Sequence, residues 1–223
     1  KRETIEVGGV SYRRLAVQTH VITDADDIVE VAKRYLGHLI ESPEDIAIFS
    51  EKAVACTQRR AIKMSDIHPR PLARLLCKFV LKTPYGIGLG IPETMEMALQ
   101  ECGTIRILFA AFISAIGKLF RRRGWFYAIA GPKARGIDGP CDYTLPPYNE
   151  YVVLIPDDPD GTAKKLAKAL GCKVAIIDAN DLEVQILGTS DPAMDRDFLC
   201  DLIRDNPLGQ TDERTPLGII RRA

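Results

Sequence analysis

Three short runs, Ile46-Ala47-Ile48-Phe49, Tyr151 to Ile155 and Lys173 to Ile177, are apolar almost throughout and stop in polar or acidic residues. A half-exposed strand alternates apolar and polar side chains, whereas an unbroken short run predicts a buried strand. Segments with helical spacing lie between these runs, so strands and helices alternate, though not in strict order. The fold expected is mixed α/β (mixed α+β), with mixed sheets flanked by helices.

The remaining elements follow from pattern and punctuation. A strand is expected over Tyr12 to Ile22, with Thr23-Asp24 as the cap of a helix from Asp26 to about Ile40. Ser50-Glu51-Lys52 reads as the polar end of the Ile46–Phe49 strand. Helices are expected over about 71–81, from Pro92, over 104–123, over 161–170 and over 195–204. Trp125 to Ala130 reads as a strand, because aromatic and β-branched residues favour one. Asp178-Ala179-Asn180-Asp181 reads as a polar stop after the Lys173–Ile177 strand, and a glycine-bearing tail ends the chain. Residues 1–223 are expected to form a single domain with a helical insertion at 92–123.

The most apolar segment runs from Ile107 to Gly117, too short to span a bilayer, which takes about 20 residues. A buried helix is the first expectation and an interfacial one the second. No signal peptide is expected, because the first apolar stretch is broken by Arg13 and Arg14. Thirty basic and thirty acidic residues cancel, so net charge gives no reason to expect nucleic acid or a membrane as partner. Locally the charge is segregated: six bases and no acids from Lys118 to Arg135, then six acids and no bases from Asp138 to Thr162. Six cysteines lie more than twenty residues apart. No Cys-x-x-Cys is present, so reduced thiols and a cytoplasmic location are expected. The three histidines are too scattered for a metal site, and no Ser/His or Cys/His pair supports covalent catalysis.

Four stretches carry residue types suited to phosphate and metal chemistry. Gly131-Pro132-Lys133-Ala134-Arg135-Gly136-Ile137-Asp138 joins glycines, two cations and a carboxylate, although a surface loop uses the same residues. Asp178 and Asp181 offer oxygen ligands of the kind Mg²⁺ or Mn²⁺ prefer, or else an Asx-turn. Gly86, Gly88 and Gly90 precede a helix but match neither a dinucleotide fingerprint nor a Walker A loop. Leu208-Gly209-Gln210-Thr211-Asp212 is polar and could orient a phosphate, or form a simple loop.

In this order, the residues resemble the coenzyme F420-0:gamma-glutamyl ligase family. The likeness runs through Arg14 to Val17, Asp26 to Val31 and Asp45 to Val54. It continues through Gly136-Ile137-Asp138, which looks like the family's Gly-Val-Asp, and Val153 to Asp160, similar to its Leu-Leu-Pro-Glu-Asp-Pro-Asp. Ala175 to Asp178 corresponds to a strand ending in Ser-Asp-Thr, and Gly209 to Asp212 to a Gly-Gln-Thr-Asp element. Here Asp178-Ala179-Asn180-Asp181 replaces Ser-Asp-Thr, and the stretch from Pro92 to Arg123 has no counterpart.

The resemblance implies a homodimeric, GTP-dependent ligase that needs a divalent metal, Mn²⁺ or Mg²⁺. Its metal ligands would be Asp138 with Asp178 or Asp181. Lys52, Gly131, Lys133, Arg135, Gly209, Gln210, Thr211 and Asp212 would lie near the nucleotide, which is GTP or ATP. The expected reaction converts a small carboxylate substrate to an acyl phosphate and condenses it with glutamate. A non-catalytic nucleotide- or metabolite-binding module is the alternative, and a structural domain using the 107–116 helix in a dimer interface is a third reading.

Overall fold

The computed structural model describes residues 3–80, 87–120, 124–141, 144–179, 184–209 and 213–223. The expectations for Asn180 and Asp181, for Gln210, Thr211 and Asp212, for Gly86 and for residues 121–123 of the helix expected over 104–123 fall outside these residues. In chain order the elements are β1 (Thr4–Val7), β2 (Val10–Val17), α1 (Ile28–Leu36), β3 (Ile46–Ser50) and α2 (Glu51–Thr57). Next come β4 (Ala61–Lys63), α3 (Pro71–Leu76), α4 (Pro92–Glu101), α5 (Thr104–Leu119), α6 (Trp125–Ala130), α7 (Pro132–Arg135) and β5 (Tyr151–Val153). The chain closes with α8 (Pro159–Leu170), β6 (Lys173–Ala179), β7 (Val184–Thr189), α9 (Arg196–Ile203) and β8 (Leu217–Arg222). They form two compact units, one from 1–59 with 156–223 and the other from 60–155.

The first unit is built on a mixed sheet of order β1-β2-β8-β3-β6-β7. Among the described residues only β3 and β6 pair in parallel; the other neighbours in this sheet are antiparallel. Side chains alternate across a strand, so Ala47 and Phe49, Val174 and Ile176, and Leu217 and Ile219 share one face with Val31, Leu36 and Leu166 of the helices. Ile48, Ala175, Ile177 and Ile220 share the other with Leu199, Leu202 and Ile203 of α9. Both faces are covered, which is why Ile46–Phe49 and Lys173–Ile177 contain so little polar alternation.

Several boundaries differ from the sequence reading. β2 ends at Val17, and the backbone beyond it turns to other partners, with the Thr19 amide donating to the Arg214 carbonyl at 2.9 Å. Asp27, not Thr23 or Asp24, caps α1, accepting from the amides of Val29 at 2.8 Å and Glu30 at 3.1 Å. Ser50-Glu51-Lys52 does not simply end a strand; α2 starts at Glu51. The tail is the central strand β8, and Asp178 lies inside β6, paired with Gln185 of β7, not after the strand. These assignments rest on pairing with distant strands, which local pattern does not encode.

The second unit holds the β4–β5 ribbon and the helices around a cluster that includes Leu89, Met95, Leu99, Ile107, Ile137 and Val152. The helix from Pro71 ends at Leu76 and tightens into a 3₁₀ turn over Cys77–Phe79. Trp125–Ala130 is the helix α6 and not a strand. Gly124 at φ 88° and Gly131 at φ 92° bracket it, and Phe126, Tyr127 and Ile129 pack on the unit's core. A short apolar run carries no decisive period, so packing against α5 decides it.

The Ile107–Gly117 helix is buried on one face only. Ile107 and Ala110 are enclosed, α6 and α4 pack beside the helix, and Leu108, Phe109 and Phe112 stand exposed.

A buried carboxylate ties α4 to α3. Glu96, 2% exposed, accepts from the Arg70 amide at 3.0 Å, from Arg70 Nε at 2.8 Å and from Gln100 Nε2 at 3.0 Å. Burial pushes its pKa up, but the bonds from Gln100 and Arg70 outweigh this and hold it below the usual value. A carboxylate so lowered stabilises the fold above its unfolded pKa, and the contribution is lost as pH falls through the folded value. Glu96→Gln is therefore expected to cost roughly 2 kcal/mol at neutral pH. Urea unfolding at a series of pH values should show the gap to the parent protein narrowing under acid.

Candidate functional site

In the first unit, strand direction gathers three of the expected site elements at one sheet edge. β3 and β6 run parallel with Ser50 opposite Ile177, so their carboxyl ends coincide. Lys52 follows β3 by two residues, exposed in the first turn of α2. Asp178 follows Ile177 by one residue and is half-buried. β8 enters at the same edge, with Leu217 opposite Phe49 and the Ser50 amide donating to the Pro216 carbonyl at 2.8 Å.

The Gly209 turn is held to that approach. The Thr215 hydroxyl donates to the Leu208 carbonyl, and Asn206 Nδ2 donates to the Gly209 carbonyl at 3.2 Å. Gly209 has φ 90°, and a Cβ there would stand 2.8 Å from the Glu213 carboxyl, so only glycine fits without strain. The carboxyl ends of parallel strands are where open α/β sheets ordinarily take ligands.

The second unit presents the other group. Gly131 ends α6 and opens α7, its amide donating to the Tyr127 carbonyl at 2.9 Å. Lys133 and Arg135 are both exposed on α7. The Lys133 ammonium lies 3.7 Å from Glu101, which also binds Arg60 at 2.6 Å. Asp138, half-buried, exchanges two 2.9 Å backbone bonds with Val153. A Cβ on Gly136 would come within 2.0 Å of Ile155 Cγ2. The glycine of Gly-Ile-Asp is therefore a packing requirement that brings the Asp138 segment against the end of β5.

The chemistry of the donors suits a hard cation, since Asp138 and Asp178 each offer carboxylate oxygens, and Mg²⁺ keeps several waters. Among the described residues no group of three or more His, Cys, Asp and Glu side chains comes together. Six cysteines form no disulfide. Burial pushes the Cys172 thiol up to about 11 and raises Cys102 and Cys200 as well, so these thiols stay protonated at neutral pH.

One polar string was not announced by the sequence. His20 Nε2 lies 2.9 Å from Asp26, and its Nδ1 lies 2.9 Å from the Tyr35 hydroxyl. Partial burial pushes Asp26 up, but bonds from the Thr23 amide, His20 and the Thr23 hydroxyl hold its pKa down. The only sequence signal is a histidine and an aspartate on either side of Thr23.

A family model described as F420-0:Gamma-glutamyl ligase matches residues 16–194. That span takes in the second unit and most of the first, and it stops before the Gly209 turn and β8. No curated protein matches the chain.

The contact at Gly136 makes a local prediction. Gly136→Ala should destabilise the protein by about 1–3 kcal/mol through overpacking against Ile155, whereas Gly171→Ala, with open space for a Cβ but φ 74°, should cost about 1 kcal/mol. Denaturant unfolding of the two variants measures both.

Proposed function

Because the chain belongs to the F420-0:gamma-glutamyl ligase family, we propose that it is a nucleotide-dependent ligase that joins glutamate to a small carboxylate substrate. The family match over residues 16–194 carries this reading. In the reaction proposed, a substrate carboxylate oxygen attacks the γ-phosphorus of GTP or ATP, and the nucleoside diphosphate leaves. The glutamate amine then attacks the acyl carbon, an amide C–N bond forms, inorganic phosphate departs and the amine gives up a proton.

The chain's own residues would act mainly by position and charge. Lys52, at the carboxyl edge of the first unit's sheet, and Lys133 and Arg135 of the second unit would neutralise phosphate oxygens. Gly209 to Asp212 would line the nucleotide's path, and Gly131 would let backbone approach a phosphate. Asp138, Asp178 and Asp181 are the proposed oxygen ligands for Mg²⁺ or Mn²⁺. The cation, when bound, would screen the phosphate charge. The reading extends to a single ligase-like domain over 1–223, a cytoplasmic setting and a homodimer.

The alternative is a module that binds nucleotide or a metabolite without turnover. It is favoured by the Asp178-Ala179 segment, which stands where the family's Ser-Asp-Thr would and runs on as paired strand.

Equilibrium titration of the full chain with GTP and with ATP, each with Mn²⁺, tests the proposal. Saturable binding is expected for one of them, and no binding at millimolar nucleotide would end it. Asp138→Asn and Asp178→Asn should each weaken metal-dependent binding by roughly tenfold or more. Glutamate-dependent phosphate release from the bound nucleotide separates the ligase from the silent module.

A further inference from the structure

The ligase reading gives Lys133 and Arg135 to phosphate oxygens and leaves Arg106, in the first turn of α5, without a task. Its Nε donates to the Ile129 carbonyl at 2.8 Å, so the guanidinium is fixed against the end of α6. That bond uses one of the five N–H donors an arginine carries. Arg106 is exposed, and among the described residues it forms no ion pair.

Gly131 is shaped around this guanidinium. The glycine is buried, and a Cβ on it would stand 2.9 Å from Arg106 Nη2 and 3.4 Å from its Cζ. The space that the missing side chain opens is taken by a cation, so an anion approaching Gly131 meets the guanidinium there. Lys133 stands two residues on. Burial pushes the Cys102 thiol up, and Arg106 and Lys133 both pull against that rise, which groups the two cations around one sulfur. Arg60 joins them through its 2.6 Å contact with Glu101. Glu101, 3.7 Å from the Lys133 ammonium, supplies one carboxylate against these three cations.

We propose that Arg106, seated over Gly131, is a phosphate-binding residue that acts together with Lys133. A guanidinium fork takes two oxygens of one group at once, and an ammonium adds a point contact to a third. A polyphosphate has oxygens enough for both, whereas a lone carboxylate satisfies the fork by itself. The inference deepens the ligase reading and rests on it for the source of the phosphate, a nucleoside triphosphate. The anion site is built from the second unit alone.

Titration calorimetry of the full chain with inorganic tripolyphosphate, without divalent metal, tests this apart from base, sugar and acceptor. The parent chain should bind the probe saturably, and Arg106→Ala should weaken binding by roughly tenfold or more. Arg106→Gln keeps an N–H for the Ile129 carbonyl but not the charge, and it should lose about as much. Arg74→Ala, which removes an exposed cation of α3, should leave the affinity unchanged. An unchanged circular dichroism spectrum confirms that each variant folds. No binding by the parent chain, full affinity in either Arg106 variant, or an equal loss in Arg74→Ala overturns the proposal. Tripolyphosphate binding that needs Arg106, in a chain that takes up neither GTP nor ATP, keeps the anion site and ends the ligase reading instead.

Discussion

The first unit depends on the insertion of β8 between β2 and β3. Without that strand the sheet would have two open edges at its centre and no continuous layer for helices to cover. Its residues pair with β2 from Leu217 to Arg222 and with β3 from Leu217 to Ile220. They send Leu217 and Ile219 into one core and Ile220 into the other. Gly218 lets it sit there, since a Cβ would approach the Leu15 carbonyl to 2.8 Å. Charged groups pin the neighbouring layers. The Arg221 guanidinium reaches the Leu39 carbonyl at 2.5 Å and the buried Asp45 at 2.9 Å, and Arg14, 4% exposed, binds Asp205 and the Leu202 carbonyl.

That arrangement also sets what the sheet edge can do. Parallel pairing of β3 with β6 brings two carboxyl ends level, and the antiparallel entry of β8 adds the Gly209 turn. A cation at Lys52, a carboxylate at Asp178 and the Gly209 turn thus share one edge although they are widely separated in the chain. In the second unit the corresponding chemistry is local. Gly131 to Asp138 is one continuous stretch, and its form is dictated by Gly131 at a helix junction and by Gly136 against Ile155.

The second unit is also where burial is least complete. Its helices enclose Leu89, Met95, Leu99 and Ile107, and Glu96 locks two of them together, but α5 is apolar around more of its circumference than its neighbours cover. Apolar surface in excess of what a fold can bury has to be accounted for by contacts outside that fold.

The sequence by itself determined what depends on near neighbours. The strands β3 and β6 were legible from unbroken apolar runs, and the starts of α4 and α9 from Pro92 and Asp195. The mixed fold class followed from alternation, and the family from motifs spread over most of the chain. Tertiary structure decided what depends on distant partners. Trp125–Ala130 had the residues of a strand and became a helix because α5 offered a helical packing face between two left-handed glycines. The stretch that ends the chain read only as a glycine-bearing tail and became the central strand because β2 and β3 left a slot for it. Asp178 looked like a stop and became a paired strand residue because β7 returned beside it. The candidate site was legible as residue types, but the shared edge of Lys52, Asp178 and Gly209 was not. Strand direction is set by hydrogen bonds between segments far apart in the chain, and no local pattern records it.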